Sequence, residues 1–178
     1  MKKKIIIGLI IIAAIIAIAL AFGNNGSNGV DSSKINIDNF NKINMGAKYS
    51  DIVELIGEGT EEMSSDINGV ESVGYSWNVE GLGYIKVIVD DGIVTTKSQT
   101  GLKSTCDDKV TLEKYNQLQE GMTYSQVKAI LGEGQIKFQN KYGNFETIMC
   151  KWINKDASNI DITFSDDKLS QKSQLNLK

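Results

Sequence analysis

The sequence predicts an α+β protein: a tandem repeat of two helix–helix–four-stranded antiparallel sheet modules, preceded by an N-terminal transmembrane or signal helix. Three observations carry this reading. Residues 35–103 lie over residues 110–178 without a gap, and about 16 of 69 aligned positions are identical; similarity at a fixed spacing is the signature of repeated structural units. Within each copy the apolar period changes from three-and-four to two after a Gly-Glu-Gly triplet, Gly57 to Gly59 and Gly132 to Gly134. That change is expected where helices give way to strands. Ahead of both copies, an apolar run from Ile5 to Phe22 follows Lys2, Lys3 and Lys4.

The apolar run comes first in the chain. About 18 residues make a helix of roughly 27 Å, close to the thickness of a bilayer core. Lysines before such a run stay cytoplasmic, so everything after Phe22 is expected outside. Two readings stay open for residues 1–22. One is a retained anchor, because the run exceeds a usual signal core. The other is a cleaved signal peptide, with Ala19-Leu20-Ala21 as the small-residue site. The expected location is the cell membrane, single-pass with an extracytoplasmic C-terminal body, or the secreted state after cleavage. Residues 23–34, GNNGSNGVDSSK, read as a flexible linker.

Each copy then opens with a short helix. Ile37, Phe40 and Ile43 are spaced three apart, as are Leu112, Tyr115 and Leu118, which puts each set on one face. Asn36 and Thr111 are suited to N-capping, and Gly46 and Gly121 to ending the helices. A second helix buries Ile52, Leu55 and Ile56, matched by Val127, Ile130 and Leu131. Thr123 with Gln126 makes a capping box; Lys48 in the first copy cannot. Gly57 and Gly132 stop these helices. Strands follow: Val73, Tyr75 and Trp77 alternate with polar residues, as do Ile148, Cys150 and Trp152. Ile85, Val87 and Val89 form the next strand, with Ile160, Ile162 and Phe164 as twins. Asn68-Gly69 and Asp91-Gly92 are hairpin signals; Gly143-Asn144 and Asp166-Asp167 are weaker ones. A last strand runs from Ile93 to Thr100 and from Lys168 to Leu175. The domain reading is therefore 35–103 and 110–178, joined by a linker at 104–109.

Composition excludes several functions. All 19 basic residues are Lys, and there is no His and no Pro. Without His the commonest general base and metal ligand are missing. Without Arg, and with an acidic body, nucleic acid is a poor partner, because affinity for phosphates rests on clustered positive charge. The Gly-Glu-Gly triplets end helices, whereas a phosphate-cradling loop precedes one. The Asp90-Asp91 and Asp166-Asp167 turns do not have EF-hand spacing. No cofactor and no metal are expected, and a hydrolase is disfavoured because no paired-carboxylate motif is present.

GMTYSQVKAILGEG at 121–134, an aromatic strand ending in Trp152, and a closing KSQxxL at Lys172 to Leu177 resemble the β-lactamase-inhibitor-protein fold. The pattern is similar to the SmpA/OmlA envelope lipoprotein group and to exported Gram-positive envelope proteins with such domains in tandem. The resemblance covers both copies. It implies export, an envelope location, protein binding through a sheet face or hairpin loops, and no enzyme chemistry. This chain departs from the pattern in having no lipid-attachment Cys after the apolar run, and Ala47-Lys48 where the pattern has Met-Thr.

Several residues are candidates for special roles. Trp77 and Trp152 are expected in the core, since duplication preserves what packing needs. Lys97-Ser98-Gln99 recurs as Lys172-Ser173-Gln174; solvated strand residues or turn hydrogen bonds are the simplest explanation. Cys106, in the linker, and Cys150 could bridge in an oxidising exterior, and the sequence leaves that pairing open. Tyr142 and Phe145 flank a hairpin turn where the first copy has Ile67 and Val70. They are the candidate binding residues, because aromatic side chains are enriched at interfaces; folding back over the core edge is their alternative. The expected function is a non-enzymatic, membrane-tethered extracytoplasmic protein-binding module of the cell envelope. Its partner would be a protein at the cell surface or in the envelope, with membrane contact through residues 1–22. The alternative is an inhibitor of a secreted enzyme such as a β-lactamase. The sequence leaves oligomeric state open.

Overall fold

A computed structural model describes residues 31–79, 83–103 and 110–178. The expected N-terminal helix, most of the 23–34 linker, and the 104–109 linker with Cys106 lie outside these residues. Among the described residues no helix is long and apolar enough to cross a membrane.

A single 3-10 turn at Ser32–Lys34 leads into α1 (Ile37–Lys42) and α2 (Tyr49–Ile56). Strands β1 (Thr60–Ile67), β2 (Val70–Asn78), β3 (Tyr84–Asp90) and β4 (Ile93–Thr100) follow. The same order recurs as α3 (Leu112–Gln117), α4 (Tyr124–Leu131), β5 (Gln135–Tyr142), β6 (Phe145–Ile153), β7 (Asn159–Ser165) and β8 (Lys168–Leu175). The caps fall where the side chains can make them. Asn36 Oδ1 accepts from the Asn39 N–H at 2.9 Å, and Thr111 Oγ1 from the Lys114 N–H at 3.2 Å. Thr123 and Gln126 form the reciprocal box. Lys48 has no acceptor to offer α2, so only the Asp51 carboxylate closes that end, accepting from the Lys48 N–H at 3.0 Å.

One expectation needs correction. Helices α1 and α3 stop at Ile43 and Leu118, whose backbones are already extended, and not at Gly46 and Gly121. Those glycines, at φ +84° and +85°, turn the chain into the next helix. The helix ends need no glycine because the sheet caps them. Lys97 Nζ donates to the carbonyls of Phe40 at 3.2 Å and Ile43 at 2.7 Å. Lys172 Nζ donates to those of Tyr115 at 3.0 Å and Leu118 at 2.8 Å. A cation at a helix C-terminus also meets the negative end of the helix dipole. Each ammonium further lies over an aromatic ring, Phe40 at 4.8 Å and Tyr115 at 4.3 Å. Lys97 is 2 % exposed, so it is not the solvated strand residue that its charge suggests.

The strands form one eight-stranded sheet in the order β1 to β8, each neighbour antiparallel. The halves meet through Thr96↔Asn140, Lys97↔Gln139 and Ser98↔Phe138 of β4 and β5. Side chains fasten this short joint: Gln99 Nε2 donates to the Ile136 carbonyl, and Asn140 Nδ2 to Thr96 Oγ1. Asn68 and Gly69, Asp91 and Gly92, and Asp166 and Asp167 all hold positive φ, as tight hairpin turns require.

Two apolar clusters lie between helices and sheet. One joins Phe40, Ile43, Ile52 and Ile56 to Trp77, Ile85, Val87 and Val89. The other joins Leu118, Val127 and Leu131 to Cys150, Trp152, Ile160, Ile162 and Phe164. Ile136 packs against both. Both tryptophans are buried as expected. Their indole N–H groups donate to the helix-end carbonyls of Gly57 at 2.9 Å and Gly132 at 3.1 Å. Gly59 and Gly134 complete the seat: a Cβ there would come within 2.7 and 2.5 Å of the indole carbons.

Candidate functional site

Because side chains alternate across a strand, placing Trp77, Val87, Lys97, Cys150, Ile162 and Lys172 under the helices fixes the opposite set. Ser72, Gly74 and Ser76 of β2 turn to the other face, paired with Asp90, Ile88 and Lys86 of β3. Thr96 and Ser98 continue the row onto Asn140 and Phe138, and these onto Thr147 and Met149. Asp161, Thr163, Gln171 and Ser173 complete it. None of the four described helices packs on this face. Its middle is its deepest part: Thr96, Asn140, Thr147 and Phe138 are buried.

Tyr142 and Phe145 are cross-strand partners beside the β5–β6 turn, and the register places both on this open face. They are 45 % and 41 % exposed. The Tyr142 hydroxyl reaches across β4 and donates to Asp90 Oδ2 at 2.5 Å; Thr95 Oγ1 donates to the same oxygen at 2.9 Å. Burial, and then the Asp90 carboxylate, push the phenol up to about 12. Tyr142 is therefore neutral and held in one orientation while its ring stays accessible.

Over β6 to β8 the face dips into a groove of about 420 Å³, lined by Lys137, Met149, Asp161, Thr163, Gln171 and Ser173. Lys151 pairs with Asp161 at 2.9 Å beside it. Burial, then repulsion from Lys151, lowers the Lys137 pKa, and Asp161 opposes them. At the far end Ile153 and Leu175 flank Asn159 and stay exposed. The face thus offers two rings at one rim, a polar and charged groove, and two aliphatic side chains beyond it. Sequence reasoning named Tyr142 and Phe145 and missed the groove. Its residues on β6 to β8 are every second position, which continued alternation would have exposed, while Lys137 of β5 enters at the register shift between Ile136 and Phe138.

Other candidates sit elsewhere. Cys150 lies in the second core, and burial pushes its thiol up to about 12. Since the thiolate is the reactive form, this sulfur is a packing group at neutral pH; the pairing with Cys106 that the sequence leaves open falls outside the described residues. Among the described residues no group of three or more acidic or Cys side chains is placed to hold a metal ion.

A helix-backed antiparallel sheet with one face uncovered by helices places the chain among the α+β proteins. The family model described as Beta-lactamase inhibitor (BLIP) matches residues 36–145. The chain belongs to that family. A Streptococcus mutans protein of solved crystal structure, provisionally described as a beta-lactamase inhibitor protein, shares the fold at a TM-score of 0.69 and 18 % identity. The match covers 78 % of this chain and 94 % of that one. Comparison with curated proteins finds no match.

Proposed function

We propose that this chain is a non-enzymatic protein-binding module whose open sheet face grips a folded partner outside the cytoplasmic membrane. The observation that carries the reading is the helix-free face itself, with the Tyr142–Phe145 pair at its rim and the Lys137–Asp161 groove beside it. Rigid aromatic rings around partly polar surface are the usual anchors of an interface. The aligned halves support two duplicated modules, 35–103 and 110–178. The Ile5 to Phe22 run after three lysines supports a tether with the body outside, or a secreted body if that segment is cleaved.

Family membership favours one kind of partner, a secreted enzyme such as a β-lactamase. Titrating the full chain in detergent against serine β-lactamases tests this directly. Progressive loss of β-lactam hydrolysis is the expected result for an inhibitor. Full hydrolysis, with a different partner still cross-linked to the face on intact cells, would reject the inhibitor and leave the module.

Tyr142→Ala separates binding from packing. The ring is half exposed, so unfolding in urea should shift by about 1 kcal/mol or less, the scale of one lost hydrogen bond. Partner affinity should fall by roughly 30-fold or more, as at a hot spot. A stability loss with binding intact would make the ring a cap on the core edge.

A further inference from the structure

Among the described residues the sheet ends in β1 and β8, and each has a strand on one side only. The start of β8 is nonetheless occupied on its outer side. Gly121 N–H donates to the Leu169 carbonyl at 2.9 Å, and Leu169 N–H to the Met122 carbonyl at 2.7 Å. The start of β4 is held in the same way, by Gly46 and Ala47 on Val94. Beyond that point β4 receives β5, along Thr96 to Ser98. The matching stretch of β8, Gln171 to Ser173, receives no strand among the described residues, although Lys-Ser-Gln recurs there. β8 therefore presents outward the segment that β4 gives to β5.

β1 is the counterpart of β5. Both strands are eight residues long, and both carry a register shift near their start, at Glu61/Met63 and Ile136/Phe138. Charge then sorts the edges. β1 carries Glu61, Glu62 and Asp66 without a Lys; β8 carries no acid, its exposed cation is Lys168, and Lys172 turns inward to the carbonyls of Tyr115 and Leu118. The surrounding halves follow suit: residues 35–103 hold 5 Lys against 11 Asp and Glu, and residues 110–178 hold 9 against 8. Like charges on an edge block pairing of that edge with itself, while these two edges attract each other.

We propose that β8 of one molecule adds antiparallel to β1 of a second copy, repeating the β4–β5 joint, with Gln171 opposite Ser65 and Ser173 opposite Met63. Glu61 stands where Ile136 seals the internal joint. The contact is thus held by strand pairing and charge, and it is sensitive to salt. It is heterologous and does not close on itself, so copies add head to tail and their open faces line up along one ribbon.

Full chain carrying Ser65→Cys together with Gln171→Cys, with Cys106→Ser in every variant and in the parent to remove the linker thiol, tests the geometry, because opposed strand positions lie close enough to form a disulfide. Mild oxidation in detergent micelles should give a ladder of dimers, trimers and longer species. Each single variant should give only the species of the parent chain, and salt at about 1 M, where the Debye length is about 3 Å, should suppress the ladder. The unsubstituted full chain should sediment as a concentration-dependent series at low salt. A single monomeric species at every concentration overturns the proposal. So does a ladder that salt leaves unchanged, or one equalled by a control pair of Ser65→Cys with Asp156→Cys.

Discussion

Replacing Trp77 by alanine is expected to lower the unfolding free energy by about 3–5 kcal/mol, and Trp152→Ala by a similar amount. Each indole is buried, donates to a helix-end carbonyl, and fills a seat shaped by a glycine. Truncation would leave a large cavity and an orphaned carbonyl at the junction of second helix and sheet. The effects should be nearly additive, because the two rings sit in different apolar clusters and separated sites couple weakly. Urea unfolding of both single variants and the double variant measures this. Unchanged midpoints would mean that the tryptophans do not hold the helices on the sheet.

The second large effect concerns Lys97. Lys97→Met should cost about 1–3 kcal/mol at neutral pH, since the carbonyls of Phe40 and Ile43 lose their buried donor. The same lysine gives stability a pH dependence. Burial pushes its pKa down to about 8 from 10.5, with Glu146 opposing. Between about pH 8 and 10.5 the unfolded chain therefore binds the proton that the folded chain has released. Stability from this group rises with pH across that window and is lost as pH falls through 8. Tyr142 works in the opposite direction: its pKa is raised from 10.0 to about 12, so above pH 10 the folded chain keeps a proton that the unfolded chain loses. Cys150 acts in the same sense as Tyr142 from a lower pH, because burial raises its thiol from 9.0 to about 12. Unfolding free energy should therefore climb from pH 8 toward 9, level off toward 10, and then decline. In Lys97→Met the climb should shrink while the decline remains. A climb of equal size in both proteins would place its origin in other groups.

Much of the fold was legible because its signals are local. The change of apolar period after each Gly-Glu-Gly triplet, the Thr123–Gln126 box and the Asn68-Gly69 turn each act within a few residues. Lys97 and Lys172 were misread for a matching reason. A charge at an alternating strand position suggests solvent, and only the tertiary fold brings the ends of α1 and α3 over these side chains. Gly46 and Gly121 were misassigned because their positive φ serves a turn as well as it serves a helix stop. The β4–β5 joint rests on three residue pairs about 44 positions apart at Thr96 and Asn140, and no short-range pattern marks it. Of the candidate site, the exposed aromatics announced themselves at a turn. The groove did not, because its polar side chains look like any solvated strand face until the register brings them together.

The proposal that the open face binds a protein is tested most directly by comparing two charged substitutions in the full chain. Thr163→Arg places a long side chain in the groove, while Glu54→Arg alters the exposed side of α2. Both proteins should unfold at the parental urea midpoint. Cross-linking on intact cells should then capture the same partner with the parent chain and with Glu54→Arg, and lose it with Thr163→Arg. Partner capture that survives Thr163→Arg and disappears with Glu54→Arg would move the binding surface to the helices and contradict the assignment of the open sheet face.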